Sequence, residues 1–574
     1  MRCGRDNVDT VVDSIMKYCP ECRKAYNDDT LNFCLDDGAV LVADVSLDEP
    51  VTAILNSTER ATSVRPAVGD TDQDRRSLYS KRKWLVTLLP MAAIVTGLLA
   101  YQFFFRSDAR ARQIDSIAIM PFVNESGNSD FEHLSDGMAD SLIASLSRLP
   151  KLNVKARSSV FRYKGKNADP KQIGKELNVQ AVLNGRVNQR SDQITLSLEL
   201  VDAETENVIW SEQYTRKQTD IIALQSDITR DVADKLRAKL SGADENRVTK
   251  RFTEDPVAYE LYLRGRYFAG GAVTEEGIKK GIDHFQRALE RDPGYALAYV
   301  GLGQSYMRLG HVWGFQPPRE TFPKAKPEIT KALAIDDSLA EAHTAMADYL
   351  LAYEWDWAGA EREYKRAIEL NPNDPLPYGG YGSFFQSMGR LDEAAAMRKQ
   401  CRDLDPLSAP ATANVGYPYC YARQYDIAIS HFEDALDLDP NFSWSHLWIG
   451  QAYLQQKKFD QAIAEINKAI DLSAGNVRMK ATLGYAYALA GRRSEAEKII
   501  ALLKDEAKKR YVSPYFIATV YAGLNEKDLT FEWLEKAYEE RHPYLTLLKV
   551  EPVFDLVRED ARFQDLLRRL ALPV

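Results

Sequence analysis

Apolar and small residues recur along this chain in distinct textures, and each predicts a different element. From 255 onward the spacing is helical, and the same residue types return every 34 positions. Pro372, Pro406 and Pro440 keep that step, as do Gly382, Gly416, Gly450 and Gly484. So do Ala394, Ala428, Ala462 and Ala496, and the aromatic series Phe385, Tyr419, Tyr453, Tyr487 and Tyr521. Small residues let two antiparallel helices approach, aromatics fill the gap, and proline stops the second helix. The pattern predicts an all-α solenoid over 255–541.

Between 114 and 242 the texture is mixed α/β. Ser116–Phe122 reads as a strand, Asn124–Gly127 as a turn, and Asp130 onward as a helix. That helix carries Leu134, Met138, Leu142, Ile143, Leu146 and Leu149 on one face. Leu152–Ala156 is a short strand, and Asp169-Pro170 opens a short helix with proline at its first position. Strands follow at Val179–Gln189 and Gln193–Asp202, the latter alternating Ile194, Leu196, Leu198 and Leu200 with Thr195, Ser197 and Glu199. Asn207–Tyr214 is the next strand and Ile221 to about Leu240 the closing helix. The order β-α-β-α-β-β-β-α predicts a mixed sheet covered by helices.

The 34-residue unit resembles the tetratricopeptide repeat: small-x2-aromatic in one helix, then Ala, then Ala before Asp-Pro. Eight units fit between 255 and about 540. The first uses Gly265, Phe268, Phe285 and Pro293, and the second needs an insertion that His311–Thr321 supplies. Residues 542–574 read as a terminal cap, which solenoids need to shield the last apolar face. The resemblance implies a concave groove lined by positions 2, 5, 9, 12 and 13 of each first helix, counted with the glycine as 8. In the regular repeats this nominates Tyr417, Tyr421, Trp444, Leu447 and Tyr485 as an aromatic and apolar strip for a protein or peptide partner, anchored by Tyr421 and Trp444. The other outcome is that these rings pack on neighbouring helices or on the chain's own α/β domain.

Trp84–Phe105 is a third texture, 22 residues without a charge. At 1.5 Å per residue it reaches about 33 Å, enough to cross a bilayer's hydrocarbon. Arg75, Arg76, Lys81, Arg82 and Lys83 precede it, against Arg106, Arg110 and Arg112 after it. The positive-inside bias puts the N-terminus in the cytoplasm and the larger domains outside a bacterial inner membrane, in the periplasm. Residues 43–83, rich in Ser, Thr, Asp, Pro and Arg, read as a tether ending in that basic cluster.

Cys19, Cys22 and Cys34 fall in one short stretch, Cys-x2-Cys followed by Cys-x2-Asp37. Thiolates at that spacing suit a tetrahedral Zn²⁺, with Asp37 in the fourth place and Asp36 and Cys3 as other candidates. A segment of this size buries no core, so the metal would supply the folding free energy of residues 15–42. The stretch resembles the single zinc-ribbon knuckles that open many bacterial membrane signalling proteins.

Charge and composition narrow the function. The 574 residues carry 74 Lys and Arg against 83 Asp and Glu, a net −9, which makes nucleic acid an unlikely partner. The seven histidines are scattered, with no H-E-x-x-H, and no P-loop, Rossmann or G-x-S-x-G motif occurs. No catalytic residue is nominated, and Cys401 and Cys420 read as structural. The 114–242 segment resembles the domain related to the amino-terminal domain of TolB and to FlgO. The matching stretches are Ile117–Gly127, Leu134–Gly137, Lys164–Ala168, Gly174–Leu177, Leu183–Val187 and Ile209–Glu212. In that setting the module stands outside the membrane beside helical repeats. The expectation is a non-enzymatic, membrane-anchored scaffold or sensor binding protein partners. The other reading is the sensory subunit of a signalling system whose kinase, cyclase or transcription regulator is another chain.

Overall fold

The computed structural model describes residues 17–18, 25–26, 42–43 and 114–572, apart from 129–130, 150, 167, 237–247, 271–273 and 312–313. The apolar run 84–105, the ligand candidates Cys19, Cys22, Cys34 and Asp37, and nearly all of 43–83 lie outside these residues. Among the described residues no helix is long and apolar enough to cross a membrane.

Two units divide the chain, 1–107 and 108–574. In the first, β1 (Lys17–Tyr18) pairs antiparallel with both β2 (Ala25–Tyr26) and β3 (Val42–Ala43). The chain between β1 and β2 carries Cys19 and Cys22.

The second unit begins with the mixed sheet. Strands β4 (Ser116–Ile119), β5 (Val123–Asn124) and β6 (Asn153–Val154) join β7 (Ala181–Arg190), β8 (Gln193–Asp202) and β9 (Val208–Lys217) in the order β6-β4-β7-β8-β9, with β5 also on β7. Pairing is parallel among β4, β5, β6 and β7 and antiparallel from β7 to β9. The single strand expected over 116–122 is divided. Pro121 offers no N–H to a ladder, and the Phe122 ring packs on Gly185, where a Cβ would lie 2.3 Å from it. The helices are α1 (Glu132–Leu146), α2 (Arg157–Phe161), α3 (Pro170–Leu177) and α4 (Ile221–Lys235). Five-residue α2 was not expected from the sequence, being too short to show a period. Asp169 caps α3 by accepting the N–H of Lys171, and Asn178 closes it in the left-handed region.

Ile194, Leu196, Leu198 and Leu200 of β8 are buried with Leu134, Met138 and Leu142 of α1 and Leu224 and Val232 of α4. That core does not stop at the sheet domain. It runs on to Tyr259, Tyr262, Leu263 and Phe285 of the helical segment.

Eight helical hairpins follow. They are α5 (Pro256–Gly270) with α6 (Glu275–Arg291), α7 (Ala296–Gly310) with α8 (Pro318–Ile335), and α9 (Ala340–Tyr349) with α10 (Trp357–Leu370). Next come α11 (Pro375–Met388) with α12 (Leu391–Leu404), α13 (Ala409–Tyr421) with α14 (Tyr425–Leu438), and α15 (Ser443–Gln455) with α16 (Phe459–Leu472). The last are α17 (Val477–Leu489) with α18 (Arg493–Glu506) and α19 (Pro514–Gly523) with α20 (Lys527–Glu539). A π-helical turn at Leu350–Glu354 extends α9, and Trp355 ends it at φ 60°. Two 3-10 turns, Pro543–Leu547 and Pro552–Val557, lead to α21 (Ala561–Arg569). Cys401 and Cys420 are separate, buried thiols. Burial pushes the Cys401 thiol up to about 12 and raises that of Cys420 as well, so neither is a ready nucleophile.

Candidate functional site

The repeat register places a groove on the first helices, and two parts of the chain itself lie against that face. In the first half the occupant is the sheet domain. Asn373, just before α11, donates its amide to the carbonyls of Ser147, Leu149 and Leu152 at 2.9–3.0 Å, fastening the C-terminal end of α1. Asn371 donates to Ser147 Oγ at 3.1 Å. Ser159 donates to Asp405 at 2.6 Å, and Arg162 to the carbonyls of Leu407 and Leu438 at 2.8 and 2.9 Å. Arg148, just after α1, pairs with Glu341 of α9 at 3.1 Å, and Arg266 of α5 with Asp140 of α1 at 2.7 Å.

Between α1 and the first helices remains a cavity of about 490 Å³. Its solenoid wall follows the groove register, with Tyr259, Tyr262 and Arg266 in the first repeat, Gln304 and Arg308 in the second, and Glu341 and Thr344 in the third. The opposite wall is α1 from His133 onward with Ser147 and Arg148 after it, and Gln225 and Ser226 of α4 lie beside it. Tyr259 donates its hydroxyl to Ser141 Oγ at 3.2 Å, so the wall between the two domains is tied across. Asp374, at the N-terminus of α11, also lines the cavity, and burial raises its carboxyl to about 7.

In the second half the occupant is the segment after α20. Arg541 donates to the Tyr353 carbonyl at 2.8 Å, Lys549 to that of Met388 at 3.4 Å, and Arg423 pairs with Asp555 at 2.8 Å. Tyr544 receives a hydrogen bond from buried Arg478, whose guanidinium also lies 5.2 Å from the Trp444 ring and 5.3 Å from Trp448. Pro552 and Val553 close over Cys420, Tyr421, Trp448 and Tyr485.

The five residues nominated for a partner therefore have partners already. Tyr421 and Tyr485 are buried beneath the 551–553 turn. Tyr417 packs on Trp448 at 4.6 Å, and Trp444 sits half-buried under Arg478. Leu447 is fully buried with Ala469 of its own hairpin and Met479 of the next, and Trp444 packs against that cluster. Arg478, the hub of the aromatic cluster, falls on the groove register in the sequence but was not nominated as a binding residue. Its signal was available: it is the one charge among the twenty groove positions of the four regular repeats. Trp448, one turn from Trp444 but off the groove register, carried no such signal. Residues 542–557, expected only to shield the end of the solenoid, run along its inside.

Residues 421–471 and 456–513 match the tetratricopeptide repeat family model. The helical segment is a tetratricopeptide-repeat solenoid. The sheet domain, over 112–231, matches the model described as the second domain of HilA/YgeH-like transcriptional regulators, which is not the likeness its motifs led us to expect. Among curated proteins, this tetratricopeptide-repeat chain is 33% identical over 246 residues to the "Putative adenylate cyclase 3" of Rhizobium meliloti strain 1021, covering 42% of this chain and 40% of that one. It is 31% identical over 97 residues to the type IV pilus assembly protein PilF of Pseudomonas aeruginosa, covering 17% of this chain and 34% of PilF. The chain thus spans well under half the length of either relative. A solved structure of Pseudomonas aeruginosa PilF aligns with a TM-score of 0.30 and 23% identity, over 38% of this chain and 93% of that one.

Proposed function

We propose that this repeat protein is the non-catalytic sensory scaffold of a signalling system, with the effector on another chain. The observation that carries the reading is the closed groove. A solenoid that holds its own sheet domain in one half and its own C-terminal segment in the other is built as one receptor head. The match to a domain of transcriptional regulators and the relative named a putative adenylate cyclase support a place in signalling. The apolar run 84–105 anchors that head in a bacterial inner membrane, outside the cytoplasm. The knuckle at 15–42, with Zn²⁺ on Cys19, Cys22, Cys34 and Asp37, faces the cytoplasm, where the effector binds. A protein partner that enters the groove at Tyr421 and Trp444 does so by displacing residues 542–557.

The experiment uses the purified full-length chain. Incubated with ATP and Mn²⁺ it forms no cyclic AMP, and it carries one zinc per chain. Cross-linked in its native membrane, it captures a kinase, cyclase or regulator through residues before 84. Cyclic AMP formation by the pure chain refutes the non-enzymatic reading. Capture of such an effector only through residues after 105 refutes the topology.

A further inference from the structure

We propose that the cavity between α1 and the first repeats binds a small organic anion, with Arg308 as the residue that receives its charge. Its volume, about 490 Å³, lies within the roughly 300–1,000 Å³ usual for small-molecule sites, and such sites favour the junction of two domains. The proposal rests on the sensory reading above and supplies what that reading lacks, a ligand.

The cations around the cavity separate cleanly. Arg148 has Glu341, Arg157 and Arg266 share Asp140, Lys250 has Asp336 at 2.7 Å, and Arg251 has Glu254 at 3.3 Å. Arg308 has no carboxylate among the described residues. Its one acceptor there is the backbone carbonyl of Ala269. Five N–H donors in a planar fork, one of them used, suit a carboxylate or a phosphate held in two-pronged fashion. Desolvation among the cavity walls and the nearby Arg266 cation both lower the arginine's pKa. Its side chain is exposed and lines the cavity. An anion entering there meets a guanidinium that no carboxylate among the described residues neutralises. Phe252, Tyr259 and Tyr262 line the same space and give the rest of an organic ligand aromatic surface to lie on. An inorganic ion would leave most of the volume unfilled.

Titration calorimetry of the full-length chain at constant ionic strength tests this with two probes, citrate for a carboxylate and AMP for a phosphate. At least one binds with one site per chain, and Arg308→Met weakens it about tenfold or more, as loss of a charged hydrogen bond does. Arg308→Lys retains part of the affinity. Gly270 lines the cavity, and a Cβ added there meets nothing within 4 Å, so Gly270→Phe blocks the space without touching the charge and decides the matter if Arg308→Met does not fold. Binding of neither probe, or unchanged binding in both variants, overturns the proposal. Anion binding without effector capture sinks only the sensory reading.

Discussion

His542 stands where the chain turns from the last hairpin into the groove, and it is held there as a neutral ring. It is 1% exposed, stacked on Tyr515 at 5.5 Å, and its Nδ1 accepts the N–H of Tyr544 at 3.4 Å. Burial first, then the neighbouring His311 and Arg478, lower its pKa from 6.5 to about 3. The folded state therefore refuses a proton that the unfolded chain accepts below 6.5. The stabilisation is complete above that pH and is lost as the pH falls toward 3. At pH 5 the loss reaches about 2 kcal/mol. Asp348 and Asp374, raised by burial to about 6 and about 7, act in the opposite sense. They are common to any pair of variants and cancel in a difference. His542→Asn keeps a capping acceptor but does not titrate, so its deficit in Tm relative to the parent should shrink between pH 7 and pH 5. A deficit independent of pH in calorimetric melts would show that the ring is not held neutral.

At the scale of helices, one residue type has opposite consequences at two places in the repeat. Gly450 of α15 lies against α16, and a Cβ there would come within 2.7 Å of Ile466 and 3.1 Å of the Ala462 carbonyl. Gly450→Val should cost about 3 kcal/mol, since forcing carbon into a packed core typically costs about 1–3. Gly379 of α11 meets only Cys401 Sγ, at 3.5 Å. There Gly379→Ala should add up to about 1 kcal/mol, the helix propensity glycine forgoes. Urea melts of the two variants should move in opposite directions, and movement in the same direction would refute the close approach. The lattice that includes Gly450 was plain in the sequence, because close helix packing demands a small residue at a fixed spacing. The alternation of β8 was equally plain, because one face is buried and the other is not. The break at Pro121–Phe122 was legible in part: Pro121 marks it locally, but the seat of the Phe122 ring is Gly185, which is distant in sequence. The filled groove was not. Asn373 reaching three carbonyls of another domain, or Tyr544 meeting Arg478, leaves no period in the chain. The turns at Pro543–Leu547 and Pro552–Val557 are too short to show one.

For the molecule as a whole, the segment after the last hairpin decides whether the groove is open. Tyr544, Leu545, Leu548, Val553, Phe554 and Val557 are all buried. A partner that enters the groove has to replace these six buried side chains. A chain ending at 541 should therefore uncover Tyr421, Trp448 and Tyr485, bind the dye ANS and melt at a lower temperature than the parent. A peptide of residues 542–574 added in trans should reverse both changes. In the intact chain, Tyr421→Ala with Trp444→Ala should lower stability instead of abolishing capture of a partner. It should also weaken the trans peptide by about 2 kcal/mol or more, the loss typical of aromatic anchors in a protein interface. The truncated chain could instead keep the parent's Tm and bind no dye. In that case the segment would only lie on the groove, and the aromatic strip would be free for a partner after all.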